Sequence, residues 1–147
     1  MKGINTPLLH IVDSTAKAIL AAGVRKVLLL GTKATMSAMW MRDMYTTRFG
    51  IETVVPDAKD QEYINDVIFN ELTQSSFKEE SRQGYLTIVD RLCHGEDAAQ
   101  GVILGCTEIG FLIKQGDCQD VEFFDPLKLH AEAAVNWALE GHKTAIL

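Results

Sequence analysis

The sequence of 147 residues has few of the patterns that mark disulfide, metal and nucleotide sites. Its three cysteines, Cys93, Cys106 and Cys118, form no CxxC pair, and this count fits neither a disulfide framework nor a zinc site. The four histidines are scattered without an HExxH or similar pairing, so we expect no metal site. No GxGxxG or Walker pattern is present, which argues against a nucleotide ligand.

Clustered positive charge and long apolar runs are also missing from the chain. The net charge is −6, which disfavours nucleic acid or an anionic membrane as a partner. No apolar run approaches the roughly 20 residues that span a bilayer. Residues 1–6 lack the apolar stretch of a signal peptide, so we expect a cytoplasmic protein. The length and a hydrophobic fraction of 47% are typical of one soluble globular domain.

Strand-like and helix-like patterns alternate along the chain. Short apolar runs predict strands at residues 7–12, 27–30, 51–55, 101–104 and 121–124. Helical spacing predicts helices from residue 13 to Gly23 and over 35–48, 60–72, 78–93 and 126–139, and a short helix or turn that ends at 113. This alternation predicts an α/β fold: a small parallel sheet of four to five strands with helices on both faces.

The same helical spacing predicts which side chains of two helices face the core. For the helix over 35–48 the predicted inward residues are Met36, Met39, Trp40 and Met44. For the helix that begins near Pro126 they are Leu129, Ala133 and Trp137.

Cys106 follows the buried strand at 101–104 and is the first candidate for chemistry. Gly105 permits a sharp turn, which leaves Cys106 at the carboxyl end of the strand, where open α/β sheets bind ligands. If Thr107 opens a helix, the free N–H groups and the helix dipole lower the pKa of the thiol. The alternative is that Cys106 has no chemical role and packs as a small buried hydrophobic residue. The turn position favours a catalytic thiol.

A second turn, Gly31-Thr32, ends the strand at 27–30. Because the carboxyl ends of parallel strands share one edge, we expect it beside Cys106 and Thr107. Each turn has a hydroxyl next to a helix start, where backbone N–H groups hold carboxylates, so this edge suits a small anionic substrate. Helix capping is the alternative role of Thr32 and Thr35.

Other polar residues near this edge have less definite roles. His10, Asp13 and Asp125 fall near predicted strand ends, and His10, in a mostly apolar strand, is best interpreted as a core histidine. His130 lies one turn into the last predicted helix and cannot be placed on either its inward or its outward face. Lys33 is the nearest cation in sequence for a second substrate carboxylate, with a solvent-facing side chain as the alternative.

Four motifs in order resemble the aspartate/glutamate racemase family. They are LLHI at 8–11, LLGT at 29–32, GCTE at 105–108 and LHA at 129–131, and the likeness extends from Pro7 to about Leu139. In glutamate racemases histidine usually follows GCT, so Glu108 indicates the aspartate racemase branch.

The resemblance implies an isomerase that needs no cofactor and acts on a small dicarboxylic amino acid, aspartate or glutamate. Two cysteines on opposite faces of the α-carbon exchange its proton, one as thiolate and one as thiol. By resemblance Cys106 is the second catalytic cysteine. Thr32, Thr35 and Thr107 match positions that line the substrate pocket, and Glu108 is expected to join them, with orientation of the thiol or capping of a turn as its alternatives.

The family's first catalytic cysteine, in a Cys-Asn-Thr motif before LLHI, has no counterpart in this sequence. The resemblance therefore implies a truncated form: residues 1–125 are the second racemase-like α/β domain, and residues 126–147 are the closing helix that packs on the first domain in relatives. Without that partner, we expect the Trp137 face of the helix to be exposed and to drive association. Neither Cys93 nor Cys118 is expected near the site. A homodimer is the expected assembly, since two-fold pairing is the commonest and brings two Cys106 thiols together.

Two alternatives to racemase activity stay open. The first is a catalytically inactive module that binds a carboxylate or an amino acid. The second is a one-cysteine relative similar to the decarboxylases that protonate one face of an enediolate.

Overall fold

The computed structural model describes residues 7–144, with side chains as far as residue 140. Its centre is a sheet of four parallel strands: β1 Lys26–Leu30, β2 Glu52–Val54, β3 Gly101–Leu104 and β4 Glu122–Phe124. Their order is β2-β1-β3-β4, so the two most apolar strands are central. Residues 1–6 and 145–147, which the predicted domain boundaries include, lie outside the described residues. The α/β fold with a small parallel sheet is confirmed.

Helices connect the strands. They are α1 Ile11–Ala21, α2 Lys33–Ser37, α3 Met39–Phe49, α4 Ala58–Asn70, α5 Glu79–Cys93, α6 Ile109–Leu112 and α7 Pro126–Thr144, and a 3-10 turn, Leu72–Gln74, follows α4. Within residues 7–144, none of these helices combines the length and the apolar character that a membrane span requires.

Two apolar cores cover the two faces of the sheet. Along β1, Leu28 and Leu30 belong to one core, with residues of α4 and α5, while Val27 and Leu29 belong to the other, with residues of α1 and α3. This alternation is the period of two that a strand buried on both faces must have. The prediction of helices on both faces is therefore confirmed.

The strand predicted at residues 7–12 is wrong. The α1 helix begins at Ile11, and the side chain of His10 caps it by accepting a hydrogen bond from the Val12 N–H at 3.1 Å. Val12, Ala16 and Ile19 then recur at helical spacing and are buried. The Leu8-Leu9 pair before the helix is exposed, so an apolar run that resembles a strand lies mostly outside the core.

The single helix predicted over residues 35–48 is two helices, α2 and α3. Ala38 lies between them with a non-helical backbone (φ −72°, ψ 86°), and this break changes which face of α3 meets the core. Met36 is buried as predicted and Met44 is partly buried, but Met39 and Trp40 are exposed and Tyr45 is buried in their place.

The inward positions predicted for α7 are only partly correct. α7 packs against α1, and Leu129 contacts the core on that side of the sheet. Trp137 is 48% exposed, which contradicts its inward position in the helical pattern and agrees with the expectation that this face is open without the partner of the closing helix. The reason is length: α7 has 19 residues and α1 only 11, so α1 covers only part of α7.

Candidate active site

A cavity of about 140 Å³ lies at the carboxyl edge of the two central strands. β1 and β3 contribute Leu29, Ile103 and Leu104, and the turn after β3 contributes residues 105–107. The remaining walls come from the helices: Ile11, Val12, Thr35, Met41, Tyr45, Pro126 and Leu127. No lysine, arginine or histidine is among these described lining residues, so the cavity is mainly apolar.

The turns after β1 and β3 touch at this edge, as predicted. Leu30 pairs with Leu104, and the Gly105 N–H donates to the Leu30 carbonyl oxygen at 2.6 Å. A Cβ atom on Gly105 would lie 2.6 Å from that oxygen, which is closer than side-chain carbons approach backbone. Glycine at 105 is therefore what lets the backbone that carries Cys106 lie against the end of β1.

Thr32 and Thr35 are hydrogen-bonded to each other at the start of α2. The Thr32 Oγ1 accepts from the Thr35 N–H at 3.2 Å, and the two hydroxyl oxygens are 3.0 Å apart. Thr32 is thus the N-cap of α2, the alternative role that the sequence left open. Of the two, only Thr35 lines the cavity.

Cys106 and Thr107 share one acceptor, the carboxylate of Glu108. The Cys106 Sγ donates to Glu108 Oε2 at 3.1 Å, and the Thr107 Oγ1 donates to the same oxygen at 2.6 Å. Cys106 is partly buried and Thr107 is exposed. Glu108 therefore orients both the thiol and the hydroxyl that lie at the cavity.

The thiol of Cys106 ionises less readily than a free cysteine. Burial, which disfavours the charged thiolate, and the contact with the Glu108 carboxylate raise its pKa from 9.0 to about 11. In the other direction, hydrogen bonds from Thr107 and from Cys106 lower the pKa of Glu108. At neutral pH the pair is consequently a protonated thiol beside a carboxylate.

A lowered thiol pKa was predicted if Thr107 opened a helix, but Thr107 and Glu108 form a turn and α6 begins only at Ile109. The helix is four residues long, so few peptide dipoles are aligned behind Cys106. The backbone N–H of Glu108 still lowers the pKa of the thiol, but burial and the Glu108 carboxylate outweigh this effect. Burial and the carboxylate determine the direction of the shift.

The other polar residues singled out in the sequence serve local structure. Asp13 forms an ion pair with Arg48, and Asp125 Oδ1 caps α7 by accepting from the Leu127 N–H at 3.0 Å. His10 is the cap of α1 and not a core histidine of a strand. The His130 Nδ1 is buried and has no hydrogen-bond partner among the described residues. None of these four residues lines the cavity.

Lys33, which is the nearest cation in sequence, and the thiols of Cys93 and Cys118 also lie outside the cavity wall. The Lys33 Nζ lies 2.5 Å from Glu62 Oε2, in an exposed ion pair between α2 and α4. Cys93 is buried at the end of α5, and Cys118 lies beside Asp90 of that helix. Neither cysteine lines the cavity. Among the described residues, Cys106 is the only thiol at this site.

The sequence model of the Asp/Glu/hydantoin racemase family matches residues 2–134 of this chain. The chain belongs to this racemase family. The match includes all four strands and about the first half of α7, so the resemblance carried by the four motifs is confirmed.

Solved structures of the family have the same fold. A Yersinia pestis protein described as a candidate Asp/Glu racemase is 41% identical, with a TM-score of 0.83 over 90% of this chain and 56% of its own. An aspartate racemase homologue from Pyrococcus horikoshii OT3 is 38% identical, with a TM-score of 0.85 over 92% of this chain and 57% of its own. The chain thus spans little more than half the length of these relatives.

A more distant structure, the Picrophilus torridus aspartate racemase, is 22% identical, with a TM-score of 0.63 over 83% of this chain and 48% of its own. At that identity the likeness concerns the fold alone.

Sequence reasoning about this racemase-family chain missed most of the cavity's apolar wall. Tyr45 and Met41 face the cavity because Ala38 interrupts the helix, and no proline or glycine marks that break. Burial raises the pKa of Tyr45 to about 12, so its hydroxyl stays neutral and the ring acts as a wall. Pro126 and Leu127 reach the cavity through the packing of α7 on α1, which local patterns do not encode.

Proposed function

We propose that this chain carries one of the two proton-transfer groups of a cofactor-independent amino-acid racemase that acts on aspartate or glutamate. The observation that supports this most directly is the thiol of Cys106, which is partly buried at a strand-end cavity and fixed by Glu108. Membership of the Asp/Glu/hydantoin racemase family supports the same reaction class.

In the proposed reaction Cys106 starts as the acid. A base on the opposite face of the substrate removes the α-proton, and the electrons of the C–H bond move onto the carboxylate to give an enediolate. The Cys106 S–H then delivers its proton to the α-carbon and becomes a thiolate, which acts as the base in the reverse direction. A thiol pKa of about 11 suits the donor role, because the proton is present at neutral pH.

The enediolate needs hydrogen-bond donors at its oxygens. We assign this role to the hydroxyls of Thr35, which lines the cavity, and of Thr107, which would turn its O–H from Glu108 to the substrate. Fixed donors aimed at developing charge are often the largest contribution to such reactions. Thr32 contributes by holding the Thr35 hydroxyl 3.0 Å from its own. Glu108 positions the thiol and, by its charge, favours the protonated form at the start of the reaction.

The second base and the cation for a second carboxylate are proposed to come from outside the described residues. This chain matches only 56% and 57% of the length of the two relatives above 30% identity, so each relative has a large part that is not matched. In this proposal residues up to 125 form one racemase-like domain, the first catalytic cysteine belongs to another domain or subunit, and α7 is a closing helix for that domain or subunit. The cavity walls that the structure describes include no cation, which is in keeping with a site that another domain completes.

The test is loss of the α-proton signal of L- and D-aspartate, and then of glutamate, in D2O, followed by proton NMR. We expect slow, one-sided exchange with the unaltered chain, through the fraction of Cys106 that is thiolate, and, with Cys106→Ala, a rate lower by about 10²–10⁴-fold, the usual contribution of a positioned acid or base. Cys118→Ser is the matched control, because Cys118 is remote from the cavity. Chiral analysis of the same samples separates one-sided exchange from racemisation.

Equal exchange by the unaltered chain and Cys106→Ala would contradict the role of Cys106. No exchange by the unaltered chain, together with a thermal shift on adding aspartate, would instead support the inactive binding module. Racemisation by the chain alone would require a second acid or base from another copy of the chain.

A second candidate function is decarboxylation of a substituted malonate with one-sided protonation by Cys106. It is favoured by the combination of a single protonated thiol and mainly apolar walls. Loss of CO2 would leave an enediolate, and the thiol would supply the proton. A panel of aryl- and alkylmalonates beside aspartate separates the two: CO2 release that depends on Cys106, without exchange of aspartate, would favour this candidate.

A further inference from the structure

Three side chains that commonly bind metal ions converge away from the cavity, where the end of α5 meets the loop before β4. Asp90 lies in the last turn of α5, His94 follows the helix directly, and Cys118 belongs to the loop. One ligand atom from each of the three lies within 4.8 Å of the other two. The loop returns Cys118 to α5 although it is distant from His94 in sequence.

Asp90 and His94 are already oriented toward each other. Their spacing of i and i+4 places them on the same side of the helix end. The His94 Nδ1 lies 3.0 Å from Asp90 Oδ1 and 3.1 Å from the Asp90 carbonyl oxygen. When Nδ1–H donates to that carbonyl, the lone pair is on Nε2, which is then free to bind a metal ion. In metal-bound histidines the ring nitrogen that does not bind the metal usually makes such a hydrogen bond.

The loop that carries Cys118 is held by its neighbour Asp117. Asp117 Oδ1 accepts from Arg82 of α5 at 2.8 Å, and Oδ2 accepts from the Lys114 N–H at 2.9 Å. These contacts of Asp117 hold the loop so that the Cys118 thiol lies next to α5.

We propose that Asp90, His94 and Cys118 bind one divalent transition metal ion, for which Zn²⁺ is the best fit. Zinc accepts thiolate, imidazole and carboxylate ligands together, and three protein ligands leave a fourth tetrahedral position for water. The ion would join the end of α5 to the loop before β4. This site is independent of Cys106, and it departs from the expectation of no metal, which rested on spacing within the sequence.

Titration of the chelator-treated full chain with Co²⁺ and with Zn²⁺ tests the proposal. We expect one Co²⁺ per chain with a thiolate-to-cobalt charge-transfer band, and a rise in the thermal midpoint with Zn²⁺. Cys118→Ser should abolish the band, and His94→Gln should weaken binding by more than about tenfold. Cys106→Ala is the matched thiol control and should keep the band.

Absence of the band in the unaltered chain, or its persistence in Cys118→Ser, would overturn the site. Equal affinity of the unaltered chain and His94→Gln would do the same, because it would indicate adventitious binding. Asp90→Asn serves as a second variant should Cys118→Ser fail to fold, and unchanged affinity in it would also count against the site.

Discussion

At the scale of single residues, the chemistry of the candidate site depends on the contact between Cys106 and Glu108. The thiol is held as a donor by an acceptor that keeps its negative charge at neutral pH, since its own pKa is lowered. Burial contributes most to the raised pKa of Cys106, and the carboxylate adds to it. Removal of the Glu108 charge should therefore reduce the contribution of the carboxylate to the pKa and leave that of burial.

Glu108→Gln should lower the pKa of Cys106 from about 11 while leaving it above the ordinary 9.0, because burial remains. Only the thiolate reacts with iodoacetamide, so the pH at which alkylation reaches half its maximal rate should move to lower pH. The rates are measured in a Cys118→Ser background, and Cys106→Ala provides the baseline for the buried Cys93. An unchanged or higher half-maximal pH would contradict the assigned role of Glu108.

At the scale of secondary-structure elements, the site depends on how closely β1 and β3 end beside each other. The backbone of residue 105 lies directly against the last carbonyl of β1 and against the Leu29 side chain. Gly110 in α6 differs, since an added Cβ there would meet its nearest neighbour, Asp125 Oδ2, at 3.6 Å, an ordinary contact. Gly105 is thus a tightly packed position and Gly110 a roomy one, five residues apart in sequence.

Gly105→Ala should lower the free energy of unfolding by about 1–3 kcal/mol, the usual cost of overpacking, because the added Cβ would lie 2.6 Å from the Leu30 oxygen. Gly110→Ala should be neutral or slightly stabilising, since alanine favours a helix and has room. Urea unfolding followed by circular dichroism measures both. Equal midpoints for the two variants would mean that the strand ends separate easily.

At the scale of the whole molecule, α7 presents an exposed apolar stripe. Leu127, Val135 and Leu139 are spaced by multiples of four residues and are 55%, 58% and 61% exposed. Leu127 is also a wall of the cavity, so a partner on this stripe would lie beside the Cys106 site. Contiguous exposed apolar residues of this kind commonly mark an interaction surface.

We expect the chain to form dimers through this stripe, and Val135→Glu should weaken the association by more than about tenfold because it places a charge in an apolar contact. Sedimentation equilibrium over a range of concentrations measures the effect. Phe69→Glu is the matched control, since Phe69 is 55% exposed on α4, away from α7. A monomer at all concentrations, or equal weakening by both variants, would contradict a dimer through α7.

The sequence by itself determined the class of fold and the meeting of two strand ends. Apolar runs at β1 and β3, bounded by glycine, are local signals, and parallel strands must bring their carboxyl ends to one edge. The neighbouring positions of Gly31 and Gly105, and the location of Cys106 at that edge, followed from this rule. The motifs were sufficient to indicate the family.

Only the tertiary structure decided which apolar runs pair and what surrounds the thiol. The run before α1 stays outside the sheet, and Ala38 interrupts a continuous helical pattern, because packing outweighs weak local preference in both places. The pKa of Cys106 rises because burial, which depends on the walls supplied by α1, α3 and α7, exceeds any effect of a four-residue helix. Contacts between residues distant in the chain, including Asp90 with Cys118, have no local signature.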